Sequence, residues 1–466
     1  MNFLRVAAAS AAVVALAADV RAQPAAATNV FTLASAIQYA SEHYPTIRAA
    51  LEQVNASNAS VDVARAAYLP RIDSLWQSNR ATTNNVFGQV LPQSVIPALT
   101  GPVLPSASSQ SVWGSATGAL LSWEPFDFGL RHAGVVGAQS AVTQARAGET
   151  LTRLDVENAV ATAFLGVLSA ERAVAAAQAD VERRNVLLQS VRALVTNQLR
   201  PGADQSRAEA ERAAAQTRLI QMQQLLLVAH AIVTRVLGIT SGGVRIAGDD
   251  LLSRTPPSDV TPAAAASAHP LAQLRQASVE QAKAAEDVLA RTDLPRVFVQ
   301  SSVFARGSGA DPSGVLDGGA SGLGLDRANW AAGVQVVFPN VFDFSSLRAR
   351  KAAAAASARA SAALYDEALL TVTSEQQTAA ALLQTTRAVA ANTPVQLAAA
   401  QQSEMQARAR YDAGLATILE VADAQSLLAQ AEVQDQLARV DVWRALLAGA
   451  VAQGDLTPFL AILRQP

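Results

Sequence analysis

The stretch that decides the fold reads RYDAGLATILEVADAQSLLAQAE and runs from Arg410 to Glu432. Its Tyr411-Asp412-Ala413-Gly414 segment predicts the end of one helix and a tight turn, because glycine adopts the unusual φ angles that such turns need. A new helix is predicted to begin at once. It carries Glu420 and Asp423, which share a helix face because they lie three residues apart. Spacing alone favours a solvated face for these two acids.

The composition excludes several classes of protein. The 466 residues are 50 % apolar but only 5 % aromatic, and the net charge is -2. Much of the apolar share is alanine, which favours close-packed helices, and a soluble chain of this length usually forms two or more domains. The near-neutral charge gives no basic footprint for nucleic acid. The absence of cysteine excludes disulfides, thiolate zinc sites and a lipid-modified N-terminal cysteine.

The N-terminus predicts a secretory signal peptide over residues 1–22. Arg5 precedes a short apolar run at 6–18, and Val20-Arg21-Ala22 fits a small-residue cleavage site. A retained anchor is disfavoured because the run is too short to span a bilayer. No other apolar run near 20 residues is apparent in the mature chain, so a membrane-resident chain is predicted to cross as strands.

The chain repeats one plan twice, over residues 31–250 and 258–456. The same helix-to-strand switch, Leu-Pro-Arg, occurs at Leu69-Pro70-Arg71 and at Leu294-Pro295-Arg296, and Phe-Asp-Phe recurs at 126–128 and 342–344. Proline ends a helix and is tolerated where a strand starts, so each switch predicts a helix followed by a strand. These markers indicate an internal duplication.

Each repeat is predicted to contain a helix, two strands, a very long helix and a returning helix. In the first repeat the predicted helices are 31–67, 129–199 and 204–238, and the predicted strands are 68–87 and 112–126. In the second repeat the predicted helices are 262–293, 345–411 and 416–453, and the predicted strands are 295–306 and 328–339. The strand-to-strand loops, about 88–111 and 307–326, are rich in turn residues and are predicted to be exposed.

The long helices predict rods. Roughly 67 helical residues extend about 100 Å, and the two shorter helices of a repeat, about 35 residues each, add up to nearly the same length. This arithmetic predicts two short helices stacked end to end beside each long one. The turn between the long and returning helices is predicted at Arg200-Pro201-Gly202 in the first repeat, with Gly202 supplying the unusual φ that Gly414 supplies in the second.

Four of the five tryptophans lie in the predicted strands: Trp76, Trp113, Trp123 and Trp330. With Phe338 they predict the aromatic girdle of a transmembrane barrel. The strands alone favour a soluble half-buried sheet, but the signal peptide and the rods favour the barrel. Four strands cannot close a barrel, and an open edge cannot face lipid, so several copies are predicted to share one.

From about Phe31 to Leu456 the sequence resembles the TolC family of outer-membrane efflux proteins. The likeness is carried by Ala-Ala-Tyr-Leu-Pro-Arg at 66–71 and Phe-Asp-Phe-Gly at 126–129, and most specifically by the stretch quoted above. In that stretch the matching positions are Arg410-Tyr411, Gly414, Ala416-Thr417 and Asp423-Ala424-Gln425.

The resemblance implies a mainly α fold with a small β part, in a homotrimer. Each protomer would give four strands to a twelve-stranded barrel in the outer membrane, surrounded by lipid, and its helices would build an α-helical barrel in the periplasm. The trimer would be the passive exit duct of an efflux or type I secretion system, served by a periplasmic adaptor protein and an inner-membrane transporter. No cofactor, metal, nucleic acid or enzymatic activity is implied.

The resemblance also implies site residues. Glu420 and Asp423 would line the tunnel constriction, which reverses the preference that spacing alone gives. The periplasmic tip and adaptor contact would be formed by Leu199, Gly202, Asp204, Tyr411, Asp412, Gly414, Leu415 and Thr417. The family's best-known member has a basic residue where this chain has Ala416, so closure is expected to depend on Tyr411 or on packing instead of that ion pair.

Two alternatives come from other classes. A structural coiled-coil protein of the cell envelope would have rods without conduit activity, but clean heptads are not sustained over long spans here. A secreted enzyme would need a convergent polar site. The four histidines are not at ligand spacing from one another, and the segment 307–326 fits neither a calcium loop nor a phosphate-binding loop. No enzyme is therefore predicted.

Overall fold

The computed structural model describes residues 29–82, 90–97, 109–240, 243–248, 251, 264–311, 313, 315–339 and 343–464. The predicted signal peptide, residues 1–22, lies outside the described residues. So do residues 83–89 and 98–108, which belong to the end of the predicted strand 68–87 and to the first predicted loop.

The two repeats share one order of main elements, a helix, two strands, a long helix and a returning helix, and differ in the short elements at their ends. The first contains β1 (Asn29–Phe31), α1 (Leu33–His43), α2 (Pro45–Ala66), β2 (Arg71–Thr82), β3 (Ser111–Phe126), α3 (Leu130–Thr196), α4 (Gly202–Val236) and β4 (Val244–Ile246). The second contains a 3-10 turn (Ala266–Ala268), α5 (Pro270–Ala290), β5 (Arg296–Ser308), β6 (Arg327–Val337), α6 (Phe344–Asp412), α7 (Ile418–Gln453) and α8 (Thr457–Arg464).

The predicted single helix over 31–67 is wrong. Residues Asn29–Phe31 form a strand that pairs in parallel with β4, and the helical part is divided at Tyr44. Tyr44 is extended because Pro45 follows it, and a residue before proline is driven out of the helical region. Residues 262 and 263 of the predicted helix 262–293 lie outside the described residues, and the rest is an α-helix only from Pro270 to Ala290, with His269 extended before the proline for the same reason.

The short helices of each repeat stack end to end beside the long one. After α4, Gly238 takes a left-handed φ of 71° and comes against Tyr44 and Pro45, which open α2. After α7, Gly454 takes a φ of 79°, and a Cβ there would lie 2.4 Å from Cδ of Pro270 at the start of α5. Both joints have the arrangement that the length arithmetic predicts.

The main hydrophobic core surrounds these joints. It combines Ile37 of α1, Phe164 and Leu168 of α3, Trp443 of α7 and Phe459 of α8, all almost completely buried. In α6 and α7 nearly half of the buried positions are alanines, whose small side chains let helix backbones approach closely. The core therefore lies between the sheet at one end of the rods and the tips at the other.

Within the described part of the chain, two helices, α3 and α4, are long and apolar enough by length and composition to cross a membrane. The expectation that the mature chain has no further apolar run near 20 residues is therefore wrong by that criterion. The apolar window of α3 is 56 % buried, as is common for the core helix of a folded protein.

The four long strands form one antiparallel sheet in the order β2-β3-β5-β6. The registers Trp76↔Thr117, Arg80↔Trp113, Trp123↔Val299 and Val303↔Trp330 place all four strand tryptophans on one face, because directly paired residues share a face. Trp76 and Trp330 are 72 % and 78 % exposed there. No described strand pairs with the outer side of β2 or of β6.

The prediction that both strand-to-strand loops are exposed is wrong in part. Val95 and Ile96 of the first loop are buried, and Ala310 of the second loop is 1 % exposed. The second loop also folds back on the sheet, where Ser115 Oγ donates a hydrogen bond to the carbonyl of Gly322 at 2.8 Å. Contact with the sheet gives loop backbone groups the hydrogen bonds that water would otherwise have to provide.

Candidate functional site: the helical tips and the membrane sheet

The two helical hairpins end in the same backbone turn. In the first, the Leu199 N–H donates to the carbonyl of Leu194 at 2.9 Å, and in the second the Leu415 N–H donates to the carbonyl of Arg410 at 2.8 Å. This six-to-one hydrogen bond is the Schellman ending of a helix. Leu199 and Leu415 occupy the same position of the two turns and are 68 % and 72 % exposed. The duplication therefore extends to the tips.

Each tip turn needs one residue with a left-handed backbone. Gly414 has a φ of 77° as expected. In the first tip the left-handed residue is Gln198, with a φ of 58°, so the role predicted for Gly202 is wrong. Gly202 is instead the first residue of α4, and Pro201 before it is extended. The proline ring fixes φ at a negative value, so the chain enters the helix at Pro201 without a left-handed residue.

Tyr411 connects the two tips. Its side chain is completely buried, and its hydroxyl donates to Asp204 Oδ2 at 3.2 Å. The guanidinium of Arg200 lies 4.4 Å from the ring centroid of Tyr411 and donates to its carbonyl at 2.6 Å. Burial and the neighbouring Asp204 carboxylate raise the pKa of Tyr411 to about 12. The hydroxyl is therefore protonated at neutral pH and available as a donor.

Ala416 lies beneath this connection. It is buried in an apolar cluster with Leu187, Val191, Ile418 and Val421. A charged side chain at 416 would have to enter that cluster and would lose its hydration. The alanine at this position is consistent with its place in the packing of the tip.

Glu420 has a structural role that the sequence analysis missed. Thr417 caps the N-terminus of α7, and Glu420 Oε1 accepts a hydrogen bond from the Thr417 N–H at 3.2 Å, which completes a capping box. Arg410 Nη1 also lies 3.8 Å from Glu420 Oε2. The Thr-x-x-Glu spacing that signals this box is present in the quoted stretch.

Asp423 differs from Glu420 although it lies on the same helix face. It is exposed and makes no hydrogen bond or ion pair with any described residue. Its position one turn into α7 leaves its carboxylate directed away from the core of the tip. Of the two acids, Asp423 is thus the one whose charge is not used within the protomer.

A buried ion network joins the two hairpins farther from the tips. Arg184 of α3, only 1 % exposed, lies 3.1 Å from Asp180, 3.0 Å from Glu211 of α4 and 3.1 Å from the hydroxyl of Ser426 of α7. Two further pairs, Arg218–Asp180 at 3.0 Å and Arg183–Glu432 at 2.7 Å, extend it. Sequence reasoning did not find this network, because its members come from three separate helices.

The other end of α3 is fixed by Asp127 of the Phe-Asp-Phe-Gly motif. Its carboxylate accepts hydrogen bonds from the Gly129 N–H at 3.0 Å and from the Arg131 N–H at 2.6 Å. Burial raises the pKa of Asp127, but the hydrogen bonds from Arg131 and Gly129 outweigh it and leave that pKa lowered. The motif therefore caps the helix where the chain leaves the sheet.

Comparison with known proteins agrees with this architecture. The family model described as Outer membrane efflux protein matches residues 36–239 and 261–448. The chain belongs to the outer membrane efflux protein family. This membership confirms the resemblance to TolC-type proteins and places the chain in the outer membrane as a channel protein, with its helical rods in the periplasm.

Solved channels of this efflux family share the fold. The outer membrane protein VceC from Vibrio cholerae has a TM-score of 0.71 at 18 % identity, with 91 % of this chain and 96 % of that chain covered. The CmeC channel of Campylobacter jejuni has a TM-score of 0.73 at 14 % identity, covering 91 % and 85 %. The open state of the Neisseria gonorrhoeae MtrE channel has a TM-score of 0.71 at 18 % identity, covering 91 % and 89 %. Among curated proteins, none matches the chain.

In this efflux protein the predicted tip residues lie together. Leu199, Gly202 and Asp204 are at or next to the first tip, and Tyr411, Asp412, Gly414, Leu415 and Thr417 are at the second. The structure brings Asp204 and Tyr411 into contact across the two tips. Arg200, which packs on Tyr411, is a tip residue that the sequence analysis did not single out. Phe338, the last predicted girdle residue, follows β6 and is exposed.

Proposed function

We propose that three copies of this chain form the passive outer-membrane exit duct of a tripartite efflux or type I secretion system. A periplasmic adaptor and an inner-membrane transporter would deliver the substrate. The observation that supports the proposal most directly is the four-stranded sheet, with an exposed tryptophan-bearing face and two edges with which no described strand pairs.

The sheet cannot be stable in lipid as a single copy. Its edge strands, β2 and β6, would leave rows of backbone N–H and C=O groups without partners in a medium that offers no hydrogen bonds. If β6 of one copy pairs with β2 of the next, four strands from each of three copies give a closed barrel of twelve. The face with Trp76 and Trp330 would then contact lipid.

The rods would continue the lumen into the periplasm. α3 and α6 contain 67 and 69 residues and run from the sheet to the two tips. Twelve rods, each either a long helix or a stacked pair of shorter ones, would surround one tunnel in the trimer. Substrates could then cross the periplasm without mixing with its contents.

Glu420 and Asp423 would form the narrow point of that tunnel. Three copies place six carboxylates near the tip, and a ring of carboxylates favours cations and raises the cost of anion entry. The exposed, unpaired carboxylate of Asp423 would supply most of this charge, since Glu420 also caps α7 and neighbours Arg410.

Closure of the tip would depend on Tyr411 and not on an ion pair at position 416. The contacts of Tyr411 with Asp204 and Arg200 hold the second hairpin against the first within one protomer. The adaptor would bind the outer surface of the tips, where Leu199 and Leu415 are exposed. Gly202, Asp412, Gly414 and Thr417 would border that contact.

Planar-bilayer recording of the purified mature protein tests the proposal. Stable, cation-selective single-channel steps that a multivalent cation blocks are the expected result. Stable steps without selectivity or block would retain the duct but remove the acidic constriction. Folded, trimeric protein that forms no channels would contradict the duct and favour a coiled-coil envelope protein without conduit activity.

A further inference from the structure

The sheet has a second face that is mostly polar. Strand registers place Gln77 of β2, Gln300 of β5 and Asn329 and Gln335 of β6 on the side opposite the tryptophans. In a transmembrane barrel the polar side of each strand faces the lumen. We refer to this side of the sheet as the inner wall.

The inner wall also carries an apolar group. Leu75, Ala116, Leu120 and Phe304 lie close together on it, on three adjacent strands. If the lumen were filled with water at this level, the group would be exposed to solvent, which is unfavourable for apolar side chains. The group is covered by part of the first strand-to-strand loop.

The covering part is the segment 90–97, here called the strap. Val95 and Ile96 of the strap pack against the apolar group and are 8 % and 3 % exposed. Burial of these two aliphatic side chains favours the docked arrangement and opposes the entropy cost of ordering the strap. Leu91, in the same segment, is 49 % exposed and does not belong to this contact.

One side chain holds the strap in its turn. Gln93 Oε1 accepts hydrogen bonds from the backbone N–H groups of Val95 and Ile96, and Gln93 Nε2 donates to the carbonyl of Ile96 at 2.6 Å. These bonds satisfy backbone groups that docking would otherwise leave without water. The strap is therefore built to lie against the wall, with its apolar side chains aimed at it.

From this docking we infer that Val95 and Ile96 set the outer bore of the duct and so limit the size of what can pass through the barrel. The inference rests on the proposed trimeric duct. An eight-stranded barrel is filled by its own side chains, whereas sixteen strands leave an open channel, so a barrel of twelve is intermediate. A layer packed on a sheet lies about 10 Å from it, so three straps would occupy much of the lumen.

The absence of cysteine makes a labelling experiment direct. Gln335→Cys places a thiol on the inner wall, six residues from Asn329 toward the periplasmic end of β6, so a reagent arriving from outside must pass the strap. Intact cells are treated with maleimide reagents of increasing polymer length. The same measurement is made after adding Val95→Ser with Ile96→Ser, and after adding Leu91→Ser as the matched control.

We expect the thiol at 335 to react with small maleimides only, and to become reactive toward larger ones when Val95 and Ile96 are serine but not when Leu91 is. Native gels confirm that each variant is trimeric. Equal labelling by large reagents with and without the Val95 and Ile96 substitutions contradicts the size limit assigned to the strap but not the proposed duct. No labelling by even the smallest reagent, while Val315→Cys on the exposed outer loop reacts fully, contradicts the duct itself.

Discussion

The hydroxyl of Tyr411 and the carboxylate of Asp204 meet at 3.2 Å although they lie 207 residues apart in the chain. One belongs to the end of α6 and the other to the first turn of α4, so this hydrogen bond joins the two hairpin tips within a protomer. The guanidinium of Arg200 lies over the Tyr411 ring. A neutral donor, an aromatic ring and a guanidinium thus make the connection.

Removing the hydroxyl with Tyr411→Phe should loosen the tips without emptying the buried site. A hydrogen bond of this kind contributes about 0.5–1.5 kcal/mol, so the open form should become roughly two- to tenfold more populated. Single-channel recording measures this as a rise in open probability. Tyr365→Phe, which removes a hydroxyl from the same helix far from the tips, is the control and should leave the recording unchanged.

The tip connection should also respond to alkaline pH. The pKa of Tyr411 is raised from 10.0 to about 12, so the folded tip binds the proton more tightly than the unfolded chain does. This contribution is fully present below pH 10 and is lost as the pH rises from 10 toward 12. Ionisation of Tyr411 should therefore leave open probability independent of pH between 6 and 9 and raise it above about pH 10. The Tyr411→Phe protein should lack that alkaline step, and an identical step in both proteins would assign it to another group.

The two acids of α7 should be separable by substitution. Asp423→Asn with Glu420→Gln removes both charges but keeps the capping box, because glutamine accepts the same backbone hydrogen bond. Cation selectivity and multivalent-cation block should disappear while the thermal midpoint stays unchanged. Glu420→Ala should instead lower stability by about 0.3–1.5 kcal/mol through loss of the box. Persistent block in the doubly neutralised protein would place the constriction elsewhere.

The buried network should be important for stability. Asp180→Ala leaves Arg184, which is 1 % exposed, with only Glu211 as its charged partner. Breaking a buried pair in this way costs about 3–5 kcal/mol. Thermal unfolding of the purified protein, followed by circular dichroism, should show a large fall in the midpoint. Arg192→Ala, which removes an exposed ion pair with Glu209, should hardly change it. An equal fall in the midpoint for Asp180→Ala and Arg192→Ala would contradict the larger stabilisation expected from the buried network.

The left-handed residues of the two tips should show opposite responses. Gly414→Ala forces a side chain into a φ of 77° and should destabilise the tip by about 1–2 kcal/mol. Gln198→Gly relieves the same strain at a φ of 58° and should be neutral or stabilising. Proteolysis at the tip, compared between the two variants, reads out the change. Faster cleavage of the Gln198→Gly protein than of the unsubstituted protein would contradict the assignment of backbone strain to Gln198.

Much of the fold was predictable because local chemistry specifies it. Leu-Pro-Arg ends a helix and starts a strand at 71 and at 296, and Asp127 in Phe-Asp-Phe-Gly caps the long helix that follows. Gly414 was correctly identified as the left-handed residue of its turn. Each of these features depends on residues within one turn of each other, which a single sequence displays.

The remaining features depend on contacts between distant segments. The strand pair Asn29–Phe31 and Val244–Ile246 is too short to give a periodic pattern, and Arg184 reads as an ordinary helix-surface arginine until α4 and α7 are placed beside it. Gly202 was chosen by residue type, whereas Pro201 decides where the next helix begins. The strap was mistaken for an exposed loop because its proline-rich sequence conceals two buried side chains.

The joints at Gly238 and Gly454 have a mechanical consequence. α3 and α6 pass the level of these joints without interruption, whereas the helices beside them are each made of two pieces. An unbroken helix resists bending along its whole length, but a junction between two helix ends can flex, since changes in chain direction concentrate at element termini. In the stacked rods, compliance is thus concentrated at the level of these joints, and in α6 Pro394 removes a helix hydrogen bond at another level. A twist applied at the tips would be absorbed at the joints, and the wall in the membrane would keep its shape.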